Sequence, residues 1–457
     1  MTMSFFFCSR SLVRRFATTV GVVALAAVMS GCTPTQRPVA RVPEARPAPQ
    51  ATAPEAAPPP ITSEPAPITP IPGEPIGTGK ARVALLLPLS GPNANLGRAM
   101  LNAASLALFA ADSDTVELLP RDTEGLGGAA GATADAINEG AELILGPIFA
   151  ASVTEIAPVA RQHGVPVVAF SNDVAVAGNG VYVMGFTPEN QIQRVVSLAQ
   201  ANGARRFAAL VPDNAFGSRA ADALQKVVAA SGGQVTRLSR YASMETQALS
   251  AVVRQLADYD QRRAALRTQR AQLVAKGDEA SRAALRRLDG VETAGDPDFD
   301  ALLIPEGGAR LRAIAPLLSF YDIDTRRVRL LGTFDWNDPL TETEPSLNGG
   351  WYPAPPPEAR AEFEREYHKT FGAAPPRIAS LAFDATLLAA VIARTADTRP
   401  RFTAERLTQP NGFAGVDGIF RLNSDGAAER GLAVIEVRLR ASRIISPAPT
   451  SFNPPSN

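Results

Sequence analysis

From residue 80 onward, short apolar segments alternate with longer amphipathic segments. Short runs rich in Val, Ile and Leu are typical of buried strands, and the stretches between them are long enough for helices. Repetition of a strand–helix unit predicts a parallel, doubly wound α/β sheet. We predict strands at 82–89, 116–121, 142–147, 166–170 and 181–186, and helices near 95–111, 129–139, 151–163 and 188–202.

The same alternation then starts again and predicts a second α/β lobe. Its predicted strands lie at 207–212, 235–240, 301–305 and 329–334, and its helices near 217–231 and 308–320. Two such lobes imply a central cleft. Ligands of parallel sheets bind beyond the carboxyl ends of the strands. The loops to inspect therefore follow Leu89, Gly146, Phe170, Pro212, Pro305 and Gly332.

The loop after Gly146 leads into a predicted helix that begins near Ser152 and Thr154. Free backbone N–H groups at a helix start can receive a carboxylate or another anion. The alternative is that Ser152 is an ordinary helix cap.

The amino terminus has the pattern of a secretory signal peptide over residues 1–31. Arg10, Arg14 and Arg15 precede an apolar run of about fourteen residues, which is short for a membrane span. Residues 29–32, Met-Ser-Gly-Cys, resemble a bacterial lipobox, which predicts lipidation of Cys32. The alternative is an ordinary signal peptide cut near Gly31. Because Thr33 stands where an Asp would favour the inner membrane, we expect a periplasmic protein anchored by lipid in the outer membrane.

Residues 33–79 have a different composition, with 14 of the 39 prolines of the chain in 47 residues. Such a segment cannot build an apolar core. We predict that 32–79 is a lipidated, Pro-rich, disordered tether, whose extended form would reach on the order of 100 Å.

Charge and composition argue against several classes of function. The 45 basic and 45 acidic residues cancel, so no basic field points to nucleic acid. Two cysteines and two histidines are too few for a zinc or iron–sulfur site, and we expect no metal and no cofactor. The glycines at 125–131 lack dinucleotide spacing, and neither His163 nor His368 belongs to a nucleophile motif. We therefore expect no enzymatic activity.

Residues 247–289 form a long helical run, predicted to be a helical hairpin inserted in the second lobe. Apolar positions recur every seven residues from Tyr259, and residues 276–278, Lys-Gly-Asp, offer a turn. Residues 254–289 contain nine basic and five acidic side chains, an excess of four positive charges. The candidates for binding a protein partner are Arg262, Arg263, Arg267 and Arg270. The alternative is a solvated hairpin without a partner.

Four segments carry a family resemblance: LLPLSGPNANLGRAM, the stretch from ELILGP to FSND, FAALVPDNAFGSRAADAL and GVDGIFRLNSDG. They resemble type I periplasmic binding proteins from about Arg82 to Arg438. The likeness extends both to the branched-chain amino-acid binding proteins of ABC transporters and to penicillin-binding protein activator lipoproteins.

The resemblance implies a bilobed receptor with three hinge crossovers, here near 190, 345 and 398. Lobe 1 would comprise 80–190 and 345–398, lobe 2 would comprise 191–344 and 399–446, and 447–457 would be a disordered tail.

The resemblance also locates cleft residues. The amino-acid binders place a hydroxyl at about Ala150, an aromatic ring at about Leu96 and a tyrosine at about Phe216, and all three are altered here. Asp335 lies near the acidic position that receives the ammonium of the ligand. A free amino acid is therefore a doubtful ligand, since contacts worth on the order of 1 kcal/mol each are lost. The cleft candidates are Ser90, Asn93, Leu96, Ala150, Ser152, Ser171, Asn172, Phe216, Glu306 and Asp335.

Two functional hypotheses follow. The main one is a regulatory lipoprotein that activates a peptidoglycan synthase, with a bifunctional penicillin-binding protein as its partner; the tether, the hairpin and the altered pocket favour it. The alternative is the substrate-binding lipoprotein of an ABC importer, with the ABC permease as its partner and an amino acid or related small solute in the cleft.

Overall fold

The computed structural model describes residues 74–75, 79–111 and 114–452. The predicted signal peptide, Cys32 and most of the predicted tether lie outside the described residues. In the described part of the chain, no helix combines the length and apolarity needed to cross a bilayer. The first described element is a two-residue strand, β1 (Glu74–Pro75).

The first sheet has five parallel strands, as the sequence predicts, and their order is β3-β2-β4-β5-β6. Val83, Leu85 and Leu87 pack into the core on one face, and Ala84 and Leu86 into the core on the other, because helices cover both faces. The elements are β2 (Ala81–Leu87), α1 (Ala94–Ala110), β3 (Val116–Asp122), α2 (Gly128–Asn138), β4 (Leu143–Leu145), α3 (Ala150–Gln162), β5 (Val167–Ala169) and β6 (Val181–Val183).

The second lobe repeats the strand–helix alternation. Its first helix begins at a Thr187 cap, whose side chain accepts a hydrogen bond from the Asn190 N–H, with Pro188 at the first helical position. The elements are α4 (Pro188–Ala201), β7 (Arg206–Pro212), α5 (Ala215–Ala230), β8 (Gln234–Tyr241), α6 (Thr246–Leu256), α7 (Tyr259–Lys276), α8 (Glu279–Arg287), β9 (Ala301–Leu303), α9 (Gly308–Phe320), β10 (Arg329–Leu331) and β11 (Trp351–Ala354).

The chain then returns to the first lobe. A long helix, α11, buries 13 of its 17 residues in the core of the first sheet, and three short antiparallel strands follow it. The elements are α10 (Pro357–Phe371), α11 (Ala379–Thr395), β12 (Thr398–Arg399), α12 (Ala404–Leu407), β13 (Phe413–Gly415), β14 (Gly418–Leu422) and β15 (Ala428–Arg430).

Two final strands, β16 (Ala433–Glu436) and β17 (Arg443–Ser446), complete the second sheet, whose order is β17-β16-β11-β10-β9-β7-β8. The five strands from β11 to β8 are parallel, but β16 and β17 are antiparallel to their neighbours. The second sheet is therefore mixed at one edge, which the purely parallel prediction did not include.

The crossings between lobes lie at 184–187, 355–356 and 431–432. The predictions near 345 and 398 are both too early. Residues 351–354 form β11 in the second sheet, where Trp351 and Tyr352 are buried, so the chain is still in lobe 2 after residue 345. Residues 399–430 belong to lobe 1 because Phe402, Leu407 and Phe420 pack into its core.

Both predicted disordered ends include ordered residues. The end of the predicted tether pairs with lobe 1, since β1 is antiparallel to β12 and the Gly79 carbonyl accepts a 2.7 Å hydrogen bond from Arg401. In the predicted tail, the Pro447 carbonyl accepts from Arg194 at 3.2 Å, and Arg421 lies over the Phe452 ring at 4.7 Å.

The predicted insertion 247–289 is helical, but only part of it is added to the lobe. Helix α6 packs Leu249, Val253 and Leu256 into the lobe core and is an ordinary layer helix. The added hairpin is α7 and α8, and its turn is the predicted one: Gly277 has φ +64° and Asp278 caps α8 by accepting from the Ser281 N–H at 2.7 Å.

Candidate functional site

A cavity of about 290 Å³ lies between the two lobes at the carboxyl ends of their parallel strands. We call it the interlobe cavity. It is lined by Ile148, Phe149, Phe170, Asn172, Gly185, Phe186, Gln191, Phe216, Phe334, Asp335, Arg377, Ile378 and Leu381.

The side chains that line the cavity are carried by strand ends and helix starts of the two lobes. Phe149 immediately precedes α3, and Phe170 and Asn172 follow β5 in the first lobe. From the second lobe, Phe216 stands in the first turn of α5, whose Asn214 cap accepts from the Gly217 N–H at 2.9 Å. Phe334 and Asp335 begin the 3-10 turn Phe334–Trp336 after β10.

The floor of the cavity is backbone at Gly185. A Cβ at this position would collide with the carbonyl oxygen of Ser171, to which the Gly185 N–H donates at 3.0 Å. Glycine is required here because the first crossing passes directly against the loop after β5.

Gln191 fixes one side of the cavity from the start of α4. Its Nε2 donates to the Phe186 carbonyl at 3.0 Å, and its Oε1 accepts from the Phe334 N–H at 2.7 Å. The side chain is buried, so both bonds are protected from water. Gln191 therefore ties the first crossing to the 3-10 turn of the second lobe.

Arg377, in the loop before α11, reaches across the cleft from lobe 1 to lobe 2. Its guanidinium lies 4.7 Å from the Phe334 ring centroid and donates to Asp335 Oδ1 at 3.2 Å and to the Asn337 carbonyl at 3.0 Å. A second ion pair has the reverse arrangement, with its acid on lobe 1 and its arginine on lobe 2. It joins Asp173 to Arg219 of α5 at 2.7 Å. We call these two ion pairs the clasps.

Three of the ten predicted cleft residues, Asn172, Phe216 and Asp335, line the interlobe cavity. The other seven do not; they are Ser90, Asn93, Leu96, Ala150, Ser152, Ser171 and Glu306.

The contacts of these seven explain their positions. The Asn93 side chain donates to Glu124 at 3.0 Å, and the Ser90 N–H donates to Asp122. Leu96 packs against the lobe 1 core, and Ser171 Oγ accepts from the Asp173 N–H at 3.1 Å. Glu306 is buried as the acceptor of the Tyr241 hydroxyl.

No side-chain cap is formed at the start of α3, where Phe149 occupies the cap position. Ala150 and Ser152 are half-buried in its first turn. Ser152 is thus neither a cleft residue nor the helix cap.

The sequence reasoning missed Phe149, Phe186, Gln191, Phe334 and Arg377. Phe334 was one residue from a predicted candidate. Arg377 lies beyond a Pro-Pro pair in a segment with no strand or helix prediction, so no sequence signal pointed to it.

Two of the four predicted partner-binding arginines hold the hairpin in place instead. Arg262 is buried and donates to the carbonyls of Ala257, Gly295 and Asp322 at 2.7–3.2 Å. Arg270 donates to the Leu288 carbonyl at 2.6 Å, which joins α7 to the end of α8. Arg263 and Arg267 are exposed. The prediction that all four are surface contacts is wrong for Arg262, which is buried, while Arg270 is half-buried.

A family model described as "Periplasmic binding protein" matches residues 80–262. No curated protein matches this chain. Solved structures do match, and the three described next share 15–16% sequence identity with this chain.

A protein named as a branched-chain amino acid ABC transporter from Rhodospirillum rubrum has a TM-score of 0.63 and 16% identity, over 80% of this chain and 100% of that one. A branched-chain amino acid ABC transporter periplasmic ligand-binding protein from Burkholderia xenovorans has a TM-score of 0.58 and 15% identity, over 82% and 97%. An ABC transporter substrate-binding protein from Sphaerobacter thermophilus has a TM-score of 0.58 and 16% identity, over 81% and 97%.

Proposed function

We propose that this chain, which has the fold of type I periplasmic binding proteins, is a non-enzymatic periplasmic protein that binds a small solute between its lobes and delivers it to an ABC permease. This was the alternative hypothesis from the sequence. The three solved structures compared above are named as ABC transporter proteins, and none of these three is named as an activator of a peptidoglycan synthase.

The observation that carries the proposal is the interlobe cavity. Side chains from both lobes line it, so a ligand there would contact both and stabilise the closed arrangement. Its size of about 290 Å³ is near the lower end of small-molecule sites. A protein that binds its ligand only in the closed, folded state is stabilised by that ligand through mass action.

The test is a thermal melt of the full chain against a panel of amino acids, organic acids and sugars at 1 mM. We expect at least one solute to raise the melting temperature by several degrees and the variant Asn172→Trp, which adds a large ring at an exposed lining position, to lose that shift. Arg326→Gln serves as a control far from the cavity. A panel without any stabilising solute would count against solute binding.

The membrane attachment is a further part of the proposal and rests on the lipobox-like residues 29–32. We expect Cys32→Ala to move the protein from the outer-membrane fraction to the soluble periplasmic fraction. If the unlipidated variant stayed with the membrane, the anchor would have to be elsewhere.

Activation of a bifunctional penicillin-binding protein is the second candidate, and the exposed, basic surface of α7 and α8 favours it. Exposed charge mainly accelerates association. We expect Arg263→Glu with Arg267→Glu to slow binding to a purified synthase ectodomain without loss of stability. Absence of binding and of stimulated polymerisation at micromolar wild-type protein would remove this candidate.

A further inference from the structure

We propose that an apolar groove on lobe 1, away from the interlobe cavity, binds an extended, basic segment of a partner protein. The groove has a volume of about 460 Å³ and lies between α1, α10, α11 and β13. We call it the lobe 1 groove. It shares no lining residue with the interlobe cavity and contains no residue of the clasps. The inference therefore goes beyond solute binding and does not depend on it.

The floor of the lobe 1 groove is apolar. Phe363 of α10 and Phe383 of α11 meet edge-to-face, with ring centroids 5.2 Å apart, and both belong to the lobe 1 core. Leu106 of α1 and Leu387 of α11 are half-buried beside them and also line the groove. An apolar side chain from outside can pack against these four residues, and burial of its surface would stabilise the complex.

The apolar surface continues beyond the groove along two helices. Phe109 stands three residues after Leu106 on α1 and is 81% exposed, and Val391 stands four residues after Leu387 on α11 and is 38% exposed. Residues three or four apart are neighbours on one face of a helix. A continuous exposed apolar surface with a polar rim is typical of a protein interaction site, whereas single exposed apolar residues are ordinary.

The two charged residues that line the groove are both acidic. Glu362 and Glu366 lie four residues apart on α10, and both are exposed. Glu366 pairs with Lys369 at 3.3 Å, but Glu362 forms no ion pair with any residue that the structure describes. Complementary charge selects partners and speeds their association. The acidic rim therefore favours a partner segment with basic side chains beside its apolar ones.

The backbone of β13 forms one side of the groove, where Ala414 and Gly415 line it. In the described three-stranded sheet, β13 is an edge strand that pairs with β14 alone. The outer edge of such a strand offers N–H and C=O groups to an added strand. The occupant is therefore an extended segment that lies along β13, with an apolar side chain on the aromatic floor and a basic side chain at Glu362.

The proposal is tested by calorimetric titration of the full chain with three capped pentapeptides. Arg-Val-Phe-Val-Arg has both predicted features, Glu-Val-Phe-Val-Glu reverses the charge, and Arg-Ser-Gly-Ser-Arg lacks the apolar side chains. We expect the first peptide to bind at least tenfold more tightly than either of the others. Its binding should weaken as salt is raised, because the ion pairs at the rim are exposed and screened.

Variants of the groove test the same contacts from the protein side. Glu362→Lys with Glu366→Lys should weaken binding of the basic peptide at least fivefold and strengthen binding of the acidic one. Ala414→Trp adds a large ring at an exposed lining position and should weaken binding of both. Glu358→Lys with Glu405→Lys is the matched control, since it reverses two exposed acids of lobe 1 outside the groove. The melting temperature of each variant shows whether it is folded.

Three results would overturn the proposal: no peptide binding at 1 mM, equal binding of the three peptides, or equal affinity of the basic peptide for the wild type and the Glu362–Glu366 variant. Sedimentation of the full chain tests a different occupant. Self-association that Ala414→Trp abolishes would identify a second copy of this chain in the groove and would also overturn the proposal. None of these results bears on the solute panel, because the groove and the interlobe cavity are separate.

Discussion

Four charged side chains are buried together in the first lobe, beside the crossings. Arg360 donates to Asp417 Oδ1 at 2.8 Å, and Arg430 donates twice to the Met184 carbonyl, at 2.7 and 3.2 Å. Asp384 accepts from the Val416 N–H at 2.8 Å, while its second oxygen has no hydrogen-bond partner among the described residues. Burial, reinforced by the negative charge of Asp417, raises the pKa of Asp384 to about 7, against the opposing effect of Arg430.

This shift predicts a pH dependence of stability. Because the folded state holds the Asp384 proton more tightly than the unfolded state, the stabilisation is complete below about pH 4 and is lost as the pH rises through about 7. We expect Asp384→Asn to stabilise the protein at pH 8 by on the order of 2 kcal/mol. Urea unfolding of both proteins at pH 5 and pH 8 measures the difference, with Asp222→Asn, an exposed carboxylate on α5, as the control. An equal effect of Asp384→Asn at both pH values would contradict the assignment.

At the scale of elements, the hairpin of α7 and α8 is attached to the rest of lobe 2 by polar contacts more than by packing of apolar side chains. Leu266 is buried, but Leu273 is half-buried and Val274 is 65% exposed. Arg262 instead links α7 to the loops at 295 and 322 through their backbone carbonyls. The seven-residue spacing therefore predicted the helices, whereas the attachment of α7 depends on the buried Arg262.

Arg262 and its neighbour Arg263 form a matched pair for testing this attachment. Arg262→Ala leaves three carbonyls without their donor, and we expect a loss of about 2–4 kcal/mol in the free energy of unfolding. Arg263→Ala removes the same charge from an exposed position and should change it by less than about 0.5 kcal/mol. Chemical denaturation compares the two directly. Similar effects for both variants would mean that the buried contacts of Arg262 contribute nothing.

The sequence predicted the features that depend on contacts between residues close together in the chain, and it missed those that depend on distant residues. Strand and helix alternation follows local periodicity, so the elements of both sheets up to β10 were predictable. The second crossing was not, because β11 is defined by pairing with β16, about eighty residues later. The cavity brings Phe334 together with Arg377, whose segment has no local pattern. Arg262 was expected at the surface because an arginine in a polar helix carries no sequence sign of burial.

At the scale of the whole molecule, the clasps link the lobes without any ligand. Each is a partly exposed ion pair and contributes roughly 0–1 kcal/mol, so the two together bias the lobes toward closure without fixing them. One clasp has its arginine on lobe 1 and the other has its arginine on lobe 2. In these two pairs, each lobe therefore contributes one positive and one negative side chain to the cleft.

Breaking both clasps is expected to open the cleft. We expect Arg219→Ser with Arg377→Ser to increase the radius of gyration in small-angle scattering and to speed hydrogen exchange in the loops at 171–174 and 334–338. The wild type should move in the same direction as salt is raised, since screening weakens both pairs. The variant Arg326→Ser is the control for loss of a surface pair. Identical scattering of the variant and the wild type at low salt would show that the clasps do not hold the cleft.

The pairing of β1 with β12 has a mechanical consequence. Tension on the chain ahead of residue 74 would load this two-residue ladder and the Arg401 contact with Gly79, and both lie on lobe 1. Lobe 2 would receive that load through the three crossings and the clasps. If the segment ahead of residue 74 anchors the protein, as we propose, lobe 1 is the half that the anchor holds and lobe 2 is the half free to move relative to it.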